Sequence, residues 1–204
     1  MSTDKSGSPP CGIYVRIDDF SNMLDLIGYI RQMAFTINQR SGYEKNMSII
    51  EVAFTPENAE RAKDIIPIIK DQGLVAIVHG SLDSMGADGI LLDNAADIKK
   101  TRAALGDDAI IGLVTSDPVP DIDYAVVKAD PAVIGKWKAM SDALCVARGK
   151  KPITADTCAA SVTAGADFVD VSDYILKHKK GIMQGTVNIL HEIDQAIKPP
   201  EIVN

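Results

Sequence analysis

This chain has no surplus of positive charge, few aromatic rings and no long apolar run. Its 21 lysines and arginines are outnumbered by 28 acidic residues, for a formal net charge of −7, and aromatics make up only 5% of the sequence. No basic stripe is interleaved with aromatic side chains, which argues against nucleic acid as the main partner. No apolar stretch approaches membrane-spanning length and the N-terminus has no hydrophobic signal region, so a membrane partner is not expected either. The three cysteines, Cys11, Cys145 and Cys158, match no zinc spacing. An odd number without a secretory signal points to reduced thiols in a cytoplasmic protein, each filling a small place in the core. No Gly-x-Gly-x-x-Gly follows the first apolar strand, which removes the main signature of a dinucleotide-binding sheet. There is no shift of composition and no long linker, so the chain is expected to form one domain.

What the chain does contain is a repeated phrase. Gly86-Ala87-Asp88-Gly89-Ile90-Leu91-Leu92-Asp93 returns as Gly165-Ala166-Asp167-Phe168-Val169-Asp170-Val171-Ser172-Asp173. Each copy reads as a helix stopped by glycine, an Ala-Asp turn, and a short apolar strand ending in an acid. The copies lie about 80 residues apart, room for about four short βα units. A parallel barrel whose second half echoes its first is the simplest architecture with this property.

The rest of the chain fits that plan. Strands are expected at 12–17, 48–54, 74–78, 89–92, 109–114, 124–127, 152–154 and 168–172. Between them run helical patterns, the first carried by Met23, Leu26, Ile30, Met33 and Ile37. Thr55-Pro56-Glu57 starts the second, and a short helical piece is expected before Gly86. A later helix begins at Asp130-Pro131 and carries Val133, Trp137, Met140 and Leu144 inward; the last breaks near Gly181 or Gly185. The expected fold is α/β, a single (β/α)8 TIM barrel of the phosphate-binding type over residues 12–198. A mobile Ser/Gly/Pro-rich tail is expected at 1–11 and a C-terminal tail at 199–204.

Three stretches resemble the thiamine-phosphate synthase family and its thiazole-tautomerase (TenI) relatives: Met85 to Leu92, Leu105 to Thr115, and Ala164 to Val169. They match the family's segments in order and with compatible spacing. The resemblance implies a thiamine-biosynthetic transferase that joins a pyrimidine diphosphate to a thiazole phosphate and releases pyrophosphate with Mg2+. The family's Gln-x-Arg-x-Lys segment after strand two is here Glu51-Val52-Ala53-Phe54-Thr55, without a cation. Its Asn-Asp pair falls near Val78, His79 and Gly80, and its strand-six threonine-lysine loop is Lys128-Ala129-Asp130-Pro131. The glycine pair that cradles phosphate is missing near Lys150-Lys151-Pro152. The tautomerase histidine falls among Thr115, Ser116 and Asp117.

Chemistry in such barrels sits at the C-terminal strand ends. His79 is a candidate catalyst for proton transfer, or a strand-end histidine satisfied by hydrogen bonds. Lys128 is the second catalytic candidate, as the cation for a phosphate or enolate, or else a lysine snorkelling over the rim. Asp93, helped by Asp97, offers carboxylates to magnesium, although Asp93-Asn94 also reads as a helix cap. Thr115, Thr154, Thr157 and Ser172 offer hydroxyls to a substrate phosphate, together with helix-start amides near Thr157. Asp88 and Asp167 belong to the opposite, stability-bearing end. Three functions remain open: the family's synthase reaction, a non-catalytic barrel binding a phosphorylated ligand or a partner protein, and another phosphate-barrel isomerase or aldolase. The expected partner is a phosphorylated small molecule, with homo-oligomerisation left open.

Overall fold

The computed structural model describes residues 11–40 and 47–197. Eight parallel strands follow one another around a closed barrel: β1 (Gly12–Ile17), β2 (Ile49–Ala53), β3 (Val75–His79), β4 (Gly89–Leu92), β5 (Ile110–Val114), β6 (Tyr124–Lys128), β7 (Leu144–Arg148) and β8 (Phe168–Asp170), with β8 closing on β1. The helices are α1 (Met23–Asn38), α2 (Ala59–Asp71), α3 (Ile98–Leu105), α4 (Pro131–Met140), α5 (Ala155–Thr163), α6 (Ser172–Leu176) and α7 (Ile182–Ile197). The protein is a (β/α)8 barrel. No helix of the described residues is long and apolar enough to cross a membrane.

The repeated phrase lies where a twofold echo requires, with Asp88 directly before β4 and Asp167 directly before β8. Gly86 and Gly165 both take positive φ, +86° and +98°, which an L side chain resists. Only Gly165 follows a helix, however. The β3–β4 connection turns at Met85 and Gly86 without the expected helical piece, and the β5–β6 connection has no helix either. The outer face of β4 and β5 is covered instead by Ile98 and Leu105 of α3 with Val119 and Ile122.

The largest correction concerns strand seven. It is not residues 152–154 but Leu144–Arg148, and α4 ends four residues earlier, at Met140. Of the side chains expected inside that helix, Trp137 is fully buried whereas Met140 and Leu144 are exposed. The indole Nε1 of Trp137 donates to the Ala143 carbonyl, 3.2 Å away, tying the end of α4 to the start of β7. The expected tails lie outside the described residues except for Cys11, which is fully buried. All three cysteines are free and buried; burial pushes the thiols of Cys145 and Cys158 up to about 12 and about 11.

Strand alternation sorts the side chains into two shells. Residues paired across a parallel ladder point the same way, and Tyr14, Ile49, Ile77, Leu91, Tyr124, Val126, Val146 and Phe168 form one buried cluster inside the barrel. The opposite faces pack on the helices in a larger cluster that includes Val15, Ile50, Val78, Ile66, Ile134 and Ile189. Gly112 makes room for the inner shell, because a Cβ there would stand 2.1 Å from the Tyr124 ring. Two residues beyond the inner cluster, the inward positions of six strands are polar: Arg16, Glu51, His79, Lys128, Arg148 and Asp170. These form the C-terminal mouth.

Candidate functional site

The mouth is organised around one carboxylate. Glu51 lies in the middle of an otherwise apolar strand and its side chain is 0% exposed, so its charge must be matched by partners. Four side chains surround it. The Tyr14 hydroxyl donates to Oε2 at 2.8 Å, His79 Nδ1 lies 2.7 Å from Oε1, and Arg148 Nη2 donates to Oε2. Arg16 Nε stands 3.5 Å from Oε1 as an ion pair. Burial alone would raise the Glu51 pKa; the His79 hydrogen bond and the charges of Arg148 and His79 reverse this and bring it to about 2.

The partners are held in turn. Arg148 Nε donates to Asp170 Oδ2 at 2.5 Å, and its guanidinium lies 5.3 Å from the centre of the Tyr14 ring. Burial works against the Arg148 charge, but Glu51 and Asp170 outweigh it and raise its pKa. The Ser172 hydroxyl donates to Asp170 and accepts the Arg16 backbone N–H at 2.7 Å, locking β8 to β1. His79 Nε2 reaches Asp93 Oδ2 at 3.1 Å. The hydrogen bond to Glu51 raises the His79 pKa above the usual imidazole range; burial opposes it and Asp93 assists. A protonated His79 thus donates from both ring nitrogens.

Beside this array a cavity of about 480 Å³ opens between the ends of β1, β7 and β8. Arg16, Arg148, Asp170 and Ser172 line it together with Lys150 and Lys151 of the β7–α5 loop. A second hollow, of about 390 Å³, lies over β5 and β6 and is lined by Thr115, Lys128 and again Arg148.

The candidates from the sequence are distributed unevenly. His79 and Asp93 meet, each engaged by the other. Lys128 is 59% exposed and pairs with Asp130 at 3.2 Å. Thr115 closes a turn with Asp117, its hydroxyl donating to the Asp117 carbonyl and accepting the Asp117 N–H. Thr154 and Thr157 cap α5: the Thr157 hydroxyl accepts the Thr154 N–H at 2.8 Å, and the two hydroxyls are 3.2 Å apart. Ser172 alone of these four hydroxyl residues lines the larger cavity. Asp97 stands at the N-terminal end of α3, in the short turn that follows Asn94. Asp93 is turned to His79, and no group of three or more His, Cys, Asp or Glu among the described residues is arranged to hold a metal. Tyr14, Arg16, Glu51, Arg148 and Asp170 were not singled out from the sequence. Their signal was a lone carboxylate in an apolar run, and polar residues in step with it at other strand ends.

No protein-family model matches the chain. A thiamine-phosphate synthase of Hyphomonas neptunium (strain ATCC 15444) is 27% identical over 142 residues, which is 57% of this chain and 63% of that protein. The match therefore spans less than two thirds of the relative's length. Among solved structures, thiamine phosphate pyrophosphorylase from Pyrococcus furiosus superposes with a TM-score of 0.73 at 14% identity, over 93% of this chain and 98% of that one. Orotidine 5'-phosphate decarboxylase from Pyrococcus horikoshii OT3 gives 0.68 at 17% identity, over 89% and 99%. At these identities the structural likeness speaks for the fold alone. The sequence match, at 27% identity over little more than half of the chain, is a resemblance to a thiamine-phosphate synthase.

Proposed function

We propose that this protein binds a phosphorylated small molecule in the cavity between β1, β7 and β8, as a thiamine-phosphate-synthase-like barrel with a rebuilt mouth. The observation that carries the reading is the cation set on that cavity. Arg16, Arg148, Lys150 and Lys151 line it alongside Asp18, Asp19, Asp25, Asp170 and Asp173; Arg148 holds Asp170 and Lys177 holds Asp173, whereas Lys150 and Lys151 pair with no carboxylate among the described residues. The two arginines are already balanced by Glu51 and Asp170, so the lysines supply the charge an incoming phosphate needs. The location, past strands seven and eight, is where barrels of this class recruit phosphate.

Joining a pyrimidine diphosphate to a thiazole phosphate is the activity that the family suggests. A second reading, binding without turnover, is favoured by one observation: His79 is engaged at both ring nitrogens and Lys128 by Asp130, so neither is free for a reacting group. Purified protein given both substrates and Mg2+, beside an active synthase, separates the two. Thiamine phosphate formed in proportion to enzyme establishes the transferase. Binding of thiazole phosphate by calorimetry without product establishes the binding protein. Neither binding nor product, from folded protein, removes the proposal.

A further inference from the structure

Arg16 differs from the other cations of the mouth. Arg148 is tied at Nε and Nη2. The Nε of Arg16 stands 3.5 Å from Glu51 and 3.9 Å from Asp18, and neither contact is a hydrogen bond. Its terminal nitrogens make no hydrogen bond among the described residues. The Arg16 side chain is 39% exposed while its Nε is wholly buried, and the residue lines the cavity.

Resting on the ligand class proposed above, we infer that Arg16 is the principal anchor of that ligand and that Glu51 is its positioning residue. Glu51 takes the Nε side of Arg16 and Nη2 of Arg148, holding two guanidinium groups close together that would otherwise repel each other. Both terminal nitrogens of Arg16, and Nη1 of Arg148, remain to donate. A fork of this kind matches two oxygens of a phosphate monoester at once, which a lysine cannot do. In this arrangement the arginines supply geometry and Lys150 and Lys151 supply charge. The body of the ligand then rests against Leu26, Tyr29 and Leu176, apolar or aromatic side chains on the same cavity wall. The fitting class is a phosphate monoester carrying a small apolar or aromatic group.

The test is calorimetric titration of the full chain with phenyl phosphate, and with inorganic phosphate to separate the contribution of the ring. Arg16→Lys is expected to weaken phenyl phosphate binding about ten- to a hundredfold despite keeping the charge, as for loss of charged hydrogen bonds. Arg16→Ala should weaken it at least as much; if that variant fails to fold, as circular dichroism would report, Arg16→Lys decides. Lys150→Ala with Lys151→Ala should weaken binding less and reduce its dependence on salt. Wild-type binding that survives Arg16→Lys unchanged overturns the assignment of Arg16 while leaving the ligand class standing. Absence of wild-type binding at millimolar phenyl phosphate and phosphate removes both.

Discussion

The two ends of the barrel handle charge in opposite ways. At the N-terminal end three aspartates each do a local job. Asp88, Asp123 and Asp167 accept the backbone N–H of Ala76, Ile111 and Cys145, at 2.8, 2.7 and 2.7 Å, joining each loop to the strand before it. Each has one cation of its own: Lys70 at 3.1 Å, Arg102 at 2.8 Å and Lys138 at 2.9 Å. The three units recur before β4, β6 and β8 and share no partner among the described residues. At the C-terminal end a single carboxylate, Glu51, serves Tyr14, Arg16, His79 and Arg148, side chains of β1, β3 and β7. One end is a set of separate clamps that hold strands in register. The other is a network, in which moving one member moves the rest, and it borders the cavity. Self-contained clamps suit a stable rim; a shared counterion suits a site whose cations must be aimed.

The comparison breaks most visibly at Glu51. Replacing it with leucine leaves three cations around a buried space without their anion, and is expected to cost about 3–5 kcal/mol. Urea unfolding of the variant beside wild type measures this. A loss no greater than that of any single rim aspartate would mean the mouth is not a network.

Acid reaches the same group without mutation. The Glu51 carboxyl lies at about 2 in the folded chain against 4.5 for the free side chain. Its stabilisation is therefore fully present above pH ~4.5 and lost as pH falls toward 2, on the order of 3 kcal/mol if the shift is taken whole. His79 is shifted the other way, upward from 6.5. Its contribution is present below that value and fades as pH rises through the folded value. Stability against urea should peak between these limbs. Glu51→Gln should flatten the acid limb and His79→Gln the alkaline one; unchanged limbs would assign the titration to other groups.

Additivity sharpens the contrast at smaller cost. Asp88→Asn and Asp167→Asn keep an oxygen for the backbone N–H and lose only a partly exposed ion pair, so each should cost under about 1 kcal/mol. Lying four strands apart, the two should add within about 0.5 kcal/mol. His79→Ala and Arg148→Ala, which share Glu51, should depart from additivity by about 0.5–3 kcal/mol. Double-mutant cycles at both ends measure the difference.

How far the sequence revealed each end follows from the range of the contacts. The N-terminal clamps are written in short phrases: glycine, turn and Asp before an apolar run identified Asp88 and Asp167, and both were assigned to the stability-bearing end. Asp123 escaped because its approach, Pro120-Asp121-Ile122, lacks the glycine. The mouth depends on strands distant in the chain. Met140 and Leu144 fall at helical spacing, and no glycine or proline separates α4 from β7, so the helix was extended over the strand. With β7 misplaced, Arg148 was not a strand end, and its contact with Glu51 spans 97 residues. Glu51 was compared with the family's missing cations and read as a loss. Its position between Ile50 and Val52 already required buried partners, but which ones depended on the register.

Lys128 gives the smallest expected effect. It occupies an inward position beside Arg148 in the β6–β7 ladder, yet it is mostly exposed and, among the described residues, its one ion pair is with Asp130, two residues on. It stands outside the Glu51 network, so Lys128→Ala should leave the melting temperature unchanged within error, in contrast to every change at Glu51. The second hollow still lies against it, and a lysine there could condense with a carbonyl compound. Borohydride reduction with pyruvate as the probe carbonyl, followed by mass spectrometry of the peptide containing residue 128, tests this. Retention of Asp130 as its partner predicts no adduct. An adduct at Lys128 that is lost in Lys128→Ala would extend the chemistry of the mouth beyond the network to β6 and favour an aldolase-type reaction.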